Sequence, residues 1–145
     1  MTTWMNDLSP GGGNEAERFA WRCIALGALL MLVGVALGAF GAHVLQARLT
    51  PQRLVSFQTG VSYQQLHALG LIAVGLAARG ATGVAPLRWS ARLMLAGVLF
   101  FCGSIYLMTA GAPRWLGAVA PVGGVAFMAA WALLAWYAFT GASRR

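Results

Sequence analysis

The residues best equipped for chemistry in this chain crowd into one stretch, FQTGVSYQQLHALGL, from Phe57 to Leu71. It carries Gln58, Ser62, Gln64, Gln65 and His67 and leads directly into the apolar run LIAVGLAA. A hydroxyl and a base are both present. On one helix, however, Ser62 and His67 point about 140° apart, so they cannot pair locally as nucleophile and base. Ser104 is a second hydroxyl that could meet His67 in three dimensions, but no sequence pattern singles it out.

Metal chemistry has little to work with. Beyond Glu17 the ligand types are His43, His67, Cys23 and Cys102, at no recognised spacing and with no carboxylate among them. A bis-histidine haem would need two level ligands. Counted along helices, His43 lies about 30 Å beyond Cys23 at one membrane surface, whereas His67 falls near the middle. No cofactor is therefore expected. A carboxylate-driven proton pump is excluded on the same inventory, because Asp7, Glu15 and Glu17 are the only acidic residues. Cys23 and Cys102 each sit in an apolar run and read as small buried hydrophobes. With no catalytic constellation in view, the expectation is a protein that is not an enzyme.

The elements that carry these groups follow from composition. The chain has 145 residues, 59% hydrophobic and 9% charged, and all ten basic residues are arginines. That places it among integral membrane proteins, as one compact unit. The net charge of +7 is no nucleic-acid footprint, since the arginines stand singly or in pairs between apolar segments. Cys23 to Ala42 is 20 residues without charge, about 30 Å of helix, too long for the apolar core of a signal peptide. Thr50-Pro51 predicts a helix start with a capping hydroxyl. Leu93–Ala112 and Leu116–Phe139 complete four spans. Arginines 18, 22, 79, 88, 92, 144 and 145 fall on the side of the termini, and 48, 53 and 114 on the other. The seven-to-three bias predicts cytoplasmic termini. Trp89, Trp115, Trp131, Trp136 and Tyr137 fit interfacial anchors.

The strictly apolar run of the second span, Ala68–Ala78, covers only about 17 Å, so the polar residues before it must enter the bilayer. His67 then lies ~16 Å deep, near the midplane. Gln58, Ser62 and Gln65 share one face, and Tyr63, Gln64 and His67 the opposite one. Unpaired amides in hydrocarbon cost several kcal/mol, so both faces need partners. By depth, Ser104 and Tyr106 lie level with His67 and Gln64. Pro121 is expected to leave the Gly117 carbonyl free, and Gly34-x-x-x-Gly38 to let a neighbour approach the first helix. These groups predict a hydrogen-bonded collar in the outer half of the bundle. It serves either as interhelical glue or as a site for a ligand, ion or proton.

Four segments, GAFGAHVL, FQTGVSYQQLHALGL, LFFCGSIYLMT and LGAVAPVGGVAF, together resemble one family. It is the domain-of-unknown-function family of small membrane proteins that includes bacterial YgdD and YwdK and has vertebrate relatives. The resemblance runs from about residue 22 to 138, in matching order and spacing. It implies four transmembrane helices in a bacterial inner membrane. It also implies signature positions at Gly38, Gly41, His43, Tyr63, Gln64, His67, Gly103, Ser104, Tyr106, Pro121, Gly123 and Gly124. It implies no reaction.

The resulting expectation is an all-α four-helix up-down membrane bundle. Residues 1–20 form a flexible polar cytoplasmic tail, 21–140 the transmembrane domain and 141–145 a short basic tail. The spans fall at about 22–44, 59–79, 90–112 and 116–139. Function is expected to be that of an accessory or assembly subunit embedded in the lipid bilayer, in a homo-oligomer or larger complex, with no nucleic-acid partner. The alternative is a binder or transporter of a small molecule, lipid or quinone-like ligand at His43, Tyr63, Gln64, His67, Ser104 and Tyr106.

Overall fold

Four long helices, each apolar enough to cross a membrane, cover residues 15–47, 51–78, 85–109 and 114–141. The structure, a computed structural model, describes residues 12–81 and 83–142, with side chains for 15–81 and 83–141. Helix α1 (Gly12–His43) is followed by a short 3-10 turn, then α2 (Pro51–Ala78). The third crossing is continuous, from α3 (Ala85–Gly97) through a π-helical turn (Val98–Cys102) into α4 (Gly103–Thr109). A 3-10 turn at Arg114–Ala118 leads into α5 (Ala120–Ala142).

Helix α1 packs chiefly on α2, and α3 on α5, with α2 also touching α3, α4 and the π turn. Half of the apolar window of α2 is buried inside the bundle, against less than a third in each other span. The least apolar span is therefore the most enclosed one. Polar side chains are stable in a membrane only where protein surrounds them. The core at the α1 N-terminal end joins Ala20, Cys23, Leu71, Val74, Leu87, Met94 and Ala130. Glycines permit the close α1–α2 approach. A Cβ at Gly75 would stand 2.7 Å from the Ala20 carbonyl oxygen, and one at Gly27 would stand 2.6 Å from that of Ala68.

Three sequence expectations are corrected. The polar tail does not extend to residue 20, because α1 already begins at Gly12. Ala16 and Ala20 are buried, and Glu17 and Glu15 pair with Arg79 and Arg88 at 3.4 Å, so this first part of α1 has partners. Residues 1–11 lie outside the described residues, as do 143–145 of the expected basic tail. Thr50 forms no side-chain cap; α2 starts on Pro51 with a backbone bond from Leu54 N–H to the Thr50 carbonyl at 3.0 Å. Pro121 lies in the first turn of α5 and Gly117 in the preceding 3-10 turn, so the missing N–H breaks no interior hydrogen bond of a continuous helix.

Candidate functional site

Gln64 lies at the centre of the polar cluster. Helix α2 buries it at 3% exposure and aims its amide between α1 and α4. Nε2 donates to the Leu30 carbonyl at 2.9 Å, and Oε1 accepts from the Tyr106 hydroxyl at 3.0 Å. Leu30 is one helical turn before Gly34, and a Cβ at Gly34 would lie 3.5 Å from that Nε2. The missing side chain at Gly34 leaves the Leu30 carbonyl accessible to a partner. Tyr106 is further held by the Phe57 ring, with centroids 5.3 Å apart.

One turn along α2, His67 is equally buried and donates from Nδ1 to the Tyr63 carbonyl at 2.7 Å. That acceptor requires the proton to sit on Nδ1. Its ring lies flat on Phe127 of α5, with centroids 3.4 Å apart and planes 15° apart. Tyr63 stacks on Phe101 at 4.6 Å, and Trp131, one turn beyond Phe127 on α5, lies 6.1 Å from the His67 ring. A column of rings thus ties α2, the π turn and α5 together. It needs two gaps in the facing helices. A Cβ at Gly97 would overlap the Phe127 ring, and one at Gly123 would overlap the backbone of Phe101.

The π turn places Phe101 in that column and widens the helix, so that Gly103 N–H bonds back to Val98. Ser104, buried, donates to the Phe101 carbonyl at 2.9 Å within its own helix. It is level with the cluster but not bonded to it. His43 is not part of the cluster: it is the exposed last residue of α1. Tyr63, Gln64, His67 and Tyr106 are brought together, Ser104 borders them, and His43 stands apart.

Sequence reasoning missed the Leu30 carbonyl, Phe101, Phe127 and Ser90. Ser90 is fully buried and donates to the Ala130 carbonyl at 2.8 Å, a second polar link between α3 and α5. No spacing rule marks a phenylalanine as the one that meets a histidine. Two of the expected anchors pack inward instead, Trp131 on His67 and Tyr137 on the core. From sequence, Arg53 counts only as one of the three arginines on the side away from the termini. It donates from Nη2 to the Met108 and Thr109 carbonyls at 2.8 and 3.2 Å, satisfying the C-terminal end of α4.

The family described as "Protein of unknown function (DUF423)" matches residues 37–124, the segment that holds most of the cluster. This chain belongs to that family. It is 40% identical over 111 residues to the UPF0382 membrane protein YwdK of Bacillus subtilis, covering 77% of this chain and 90% of that one. It is 38% identical over 100 residues to the UPF0382 inner membrane protein YgdD of Escherichia coli K12, covering 69% and 76%. A Staphylococcus haemolyticus UPF0382 membrane protein, SH2409, is 40% identical over 111 residues. No solved structure matches. As a DUF423 member with four spans, the chain is a membrane protein, and family membership assigns it no reaction.

Proposed function

We propose that this DUF423 protein is a non-enzymatic accessory or assembly subunit of the bacterial inner membrane, with cytoplasmic termini, that pairs with another membrane helix through the outward face of α2. One observation carries the reading. Gln58 and Ser62 are exposed on that face and make no side-chain hydrogen bond to any described residue; Gln65, half-buried beside Gly34 of α1, makes none either. Ser56 and Thr59 nearby bond back to their own helix. Ser62 does not.

The face has the spacing of a helix-pairing seam. Val55, Ser62, Leu69 and Leu76 recur every seven residues on it, with Gln58 beside them, while Gln65 and Ile72 border the α1 contact at Gly34 and Gly27. Val55, Leu69 and Leu76 are each more than half exposed. Amides and hydroxyls inside a membrane draw helices together because lipid offers them no partner. The collar itself lends less support to a ligand pocket, because Gln64, His67 and Tyr106 already satisfy one another or the backbone. Orientation rests on the arginine bias.

The test is a photo-crosslinking residue at position 62 in native membranes, alongside the triple variant Gln58→Leu, Ser62→Ala, Gln65→Leu. A discrete protein adduct is expected, either a second copy or another chain, and it should disappear in the variant while helix content is kept. Adducts to lipid alone, with wild type and variant both monomeric in mild detergent, would sink the proposal.

A further inference from the structure

We infer that a groove between α1 and α3, at the arginine-rich end of the bundle, is a binding site for an anionic phospholipid. The groove holds about 470 Å³, and Arg18, Arg22, Arg88 and Arg92 line its mouth with a single carboxylate, Glu15. Its floor is apolar, built from Phe19, Cys23, Leu26, Leu71, Ala91 and Leu95.

The arrangement of the arginines goes beyond what a topological signal requires. Arg18 and Arg22 are four residues apart on α1, and Arg88 and Arg92 four apart on α3. Each pair stacks like charges one turn apart, an arrangement that weakens a helix unless an anion intervenes. Both pairs face one cavity because α1 packs on α2 while α3 packs on α5, which leaves the space between α1 and α3 unfilled. Arg88 also keeps one N–H without a partner. Its Nε is buried without a hydrogen-bond partner, and its Nη2 reaches Glu15 only at 3.4 Å. Arg88 lines the groove with a planar guanidinium, a shape that pairs with phosphate oxygens.

The apolar floor indicates what the phosphate is attached to. From Arg18 to Leu26 the groove descends ~12 Å along α1, from the membrane surface toward the hydrocarbon. A headgroup held by the four arginines would have its first acyl carbons directly over Leu26, Leu71 and Leu95. Basic pockets between membrane helices hold anionic headgroups in this way. The shared chemistry with free phosphate is the anion alone, and the acyl-lined floor favours the lipid.

The experiment uses the full chain in detergent micelles, titrated with dioleoyl phosphatidylglycerol, dioleoyl phosphatidylcholine or inorganic phosphate and read by native mass spectrometry. Phosphatidylglycerol should form a stoichiometric adduct that phosphatidylcholine does not. At roughly fivefold per arginine near an anionic headgroup, Arg22→Gln with Arg92→Gln should weaken it about thirtyfold, and Arg92→Gln alone about fivefold. Arg79→Gln is the control, because Arg79 sits at the same end but does not line the groove. Equal adducts with both lipids would overturn the inference. So would arginine variants, shown by circular dichroism to keep their helix content, that bind like the wild type. Inorganic phosphate displacing the lipid at equal concentration would make the groove a free-anion site instead.

Discussion

The Tyr106 hydroxyl donates to Oε1 of Gln64 at 3.0 Å, joining the second and third membrane crossings across 42 residues of sequence. The same Gln64 amide uses its nitrogen on the first crossing, at the Leu30 carbonyl. One side chain thereby ties three of the four crossings together inside a medium with no competing water. Interhelical bonds of this kind measure about 0.6–1.7 kcal/mol in double-mutant cycles.

A cycle of Gln64→Leu and Tyr106→Phe, followed by unfolding in graded dodecyl sulfate, should therefore show a coupling of ~0.6–1.7 kcal/mol. Strict additivity of the two single changes would mean that the bond contributes nothing to holding the crossings together.

The ring column makes a prediction about three glycines. Gly97→Ala should destabilise by ~1–3 kcal/mol by pushing on Phe127, and Phe127→Leu in the same molecule should relieve part of that loss. Gly123→Ala should be at least as harmful and not relieved by trimming any side chain, because it meets the Phe101 backbone. Gly124→Ala meets nothing within 4 Å and should be neutral or slightly stabilising. If all three glycines respond alike, the packing described for Phe101 and Phe127 is wrong.

For His67, shape should outweigh charge. His67→Phe keeps a flat ring on Phe127 and gives up only the bond to the Tyr63 carbonyl, so thermal stability should stay close to wild type. His67→Ala removes the ring and should cost ~2–4 kcal/mol as a core truncation. Should His67→Phe prove as damaging as His67→Ala, the imidazole nitrogens have a role that packing does not account for.

Ser90→Ala should lower stability by ~0.6–1.7 kcal/mol through loss of the α3–α5 link to the Ala130 carbonyl. Ser104→Ala should matter less, since its hydroxyl serves its own helix. The same dodecyl sulfate titration compares them, and the reverse order would contradict these assignments.

Both cysteines are buried and unbridged, Cys23 at 3% and Cys102 at 0% exposure. A polar maleimide should leave the folded protein unmodified and label both thiols once it is denatured, with mass spectrometry counting the adducts. Rapid labelling of Cys102 in the native state would show that the π turn opens.

The sequence by itself determined the class and the depth map. Apolar length fixes four helices, and the short run Ala68–Ala78 forces Gln64 and His67 below the membrane surface, because rise per residue is a constant of the helix. The same count sets Tyr106 level with Gln64, whereas His43, expected at the same site, is set apart only by the structure. Tertiary structure alone decided which partner each group takes. Helical periodicity gives the direction of a side chain but not the azimuth of the neighbouring helix, so the Leu30 carbonyl, the Phe127 ring and the Ser90–Ala130 link were not legible. Depth made Ser104 a collar member, yet its hydroxyl turned to the carbonyl of Phe101 beside the π turn, a local irregularity that no hydrophobic pattern records. The arginines were legible as a topological signal. That four of them face one groove follows only from α1 and α3 packing on different partners.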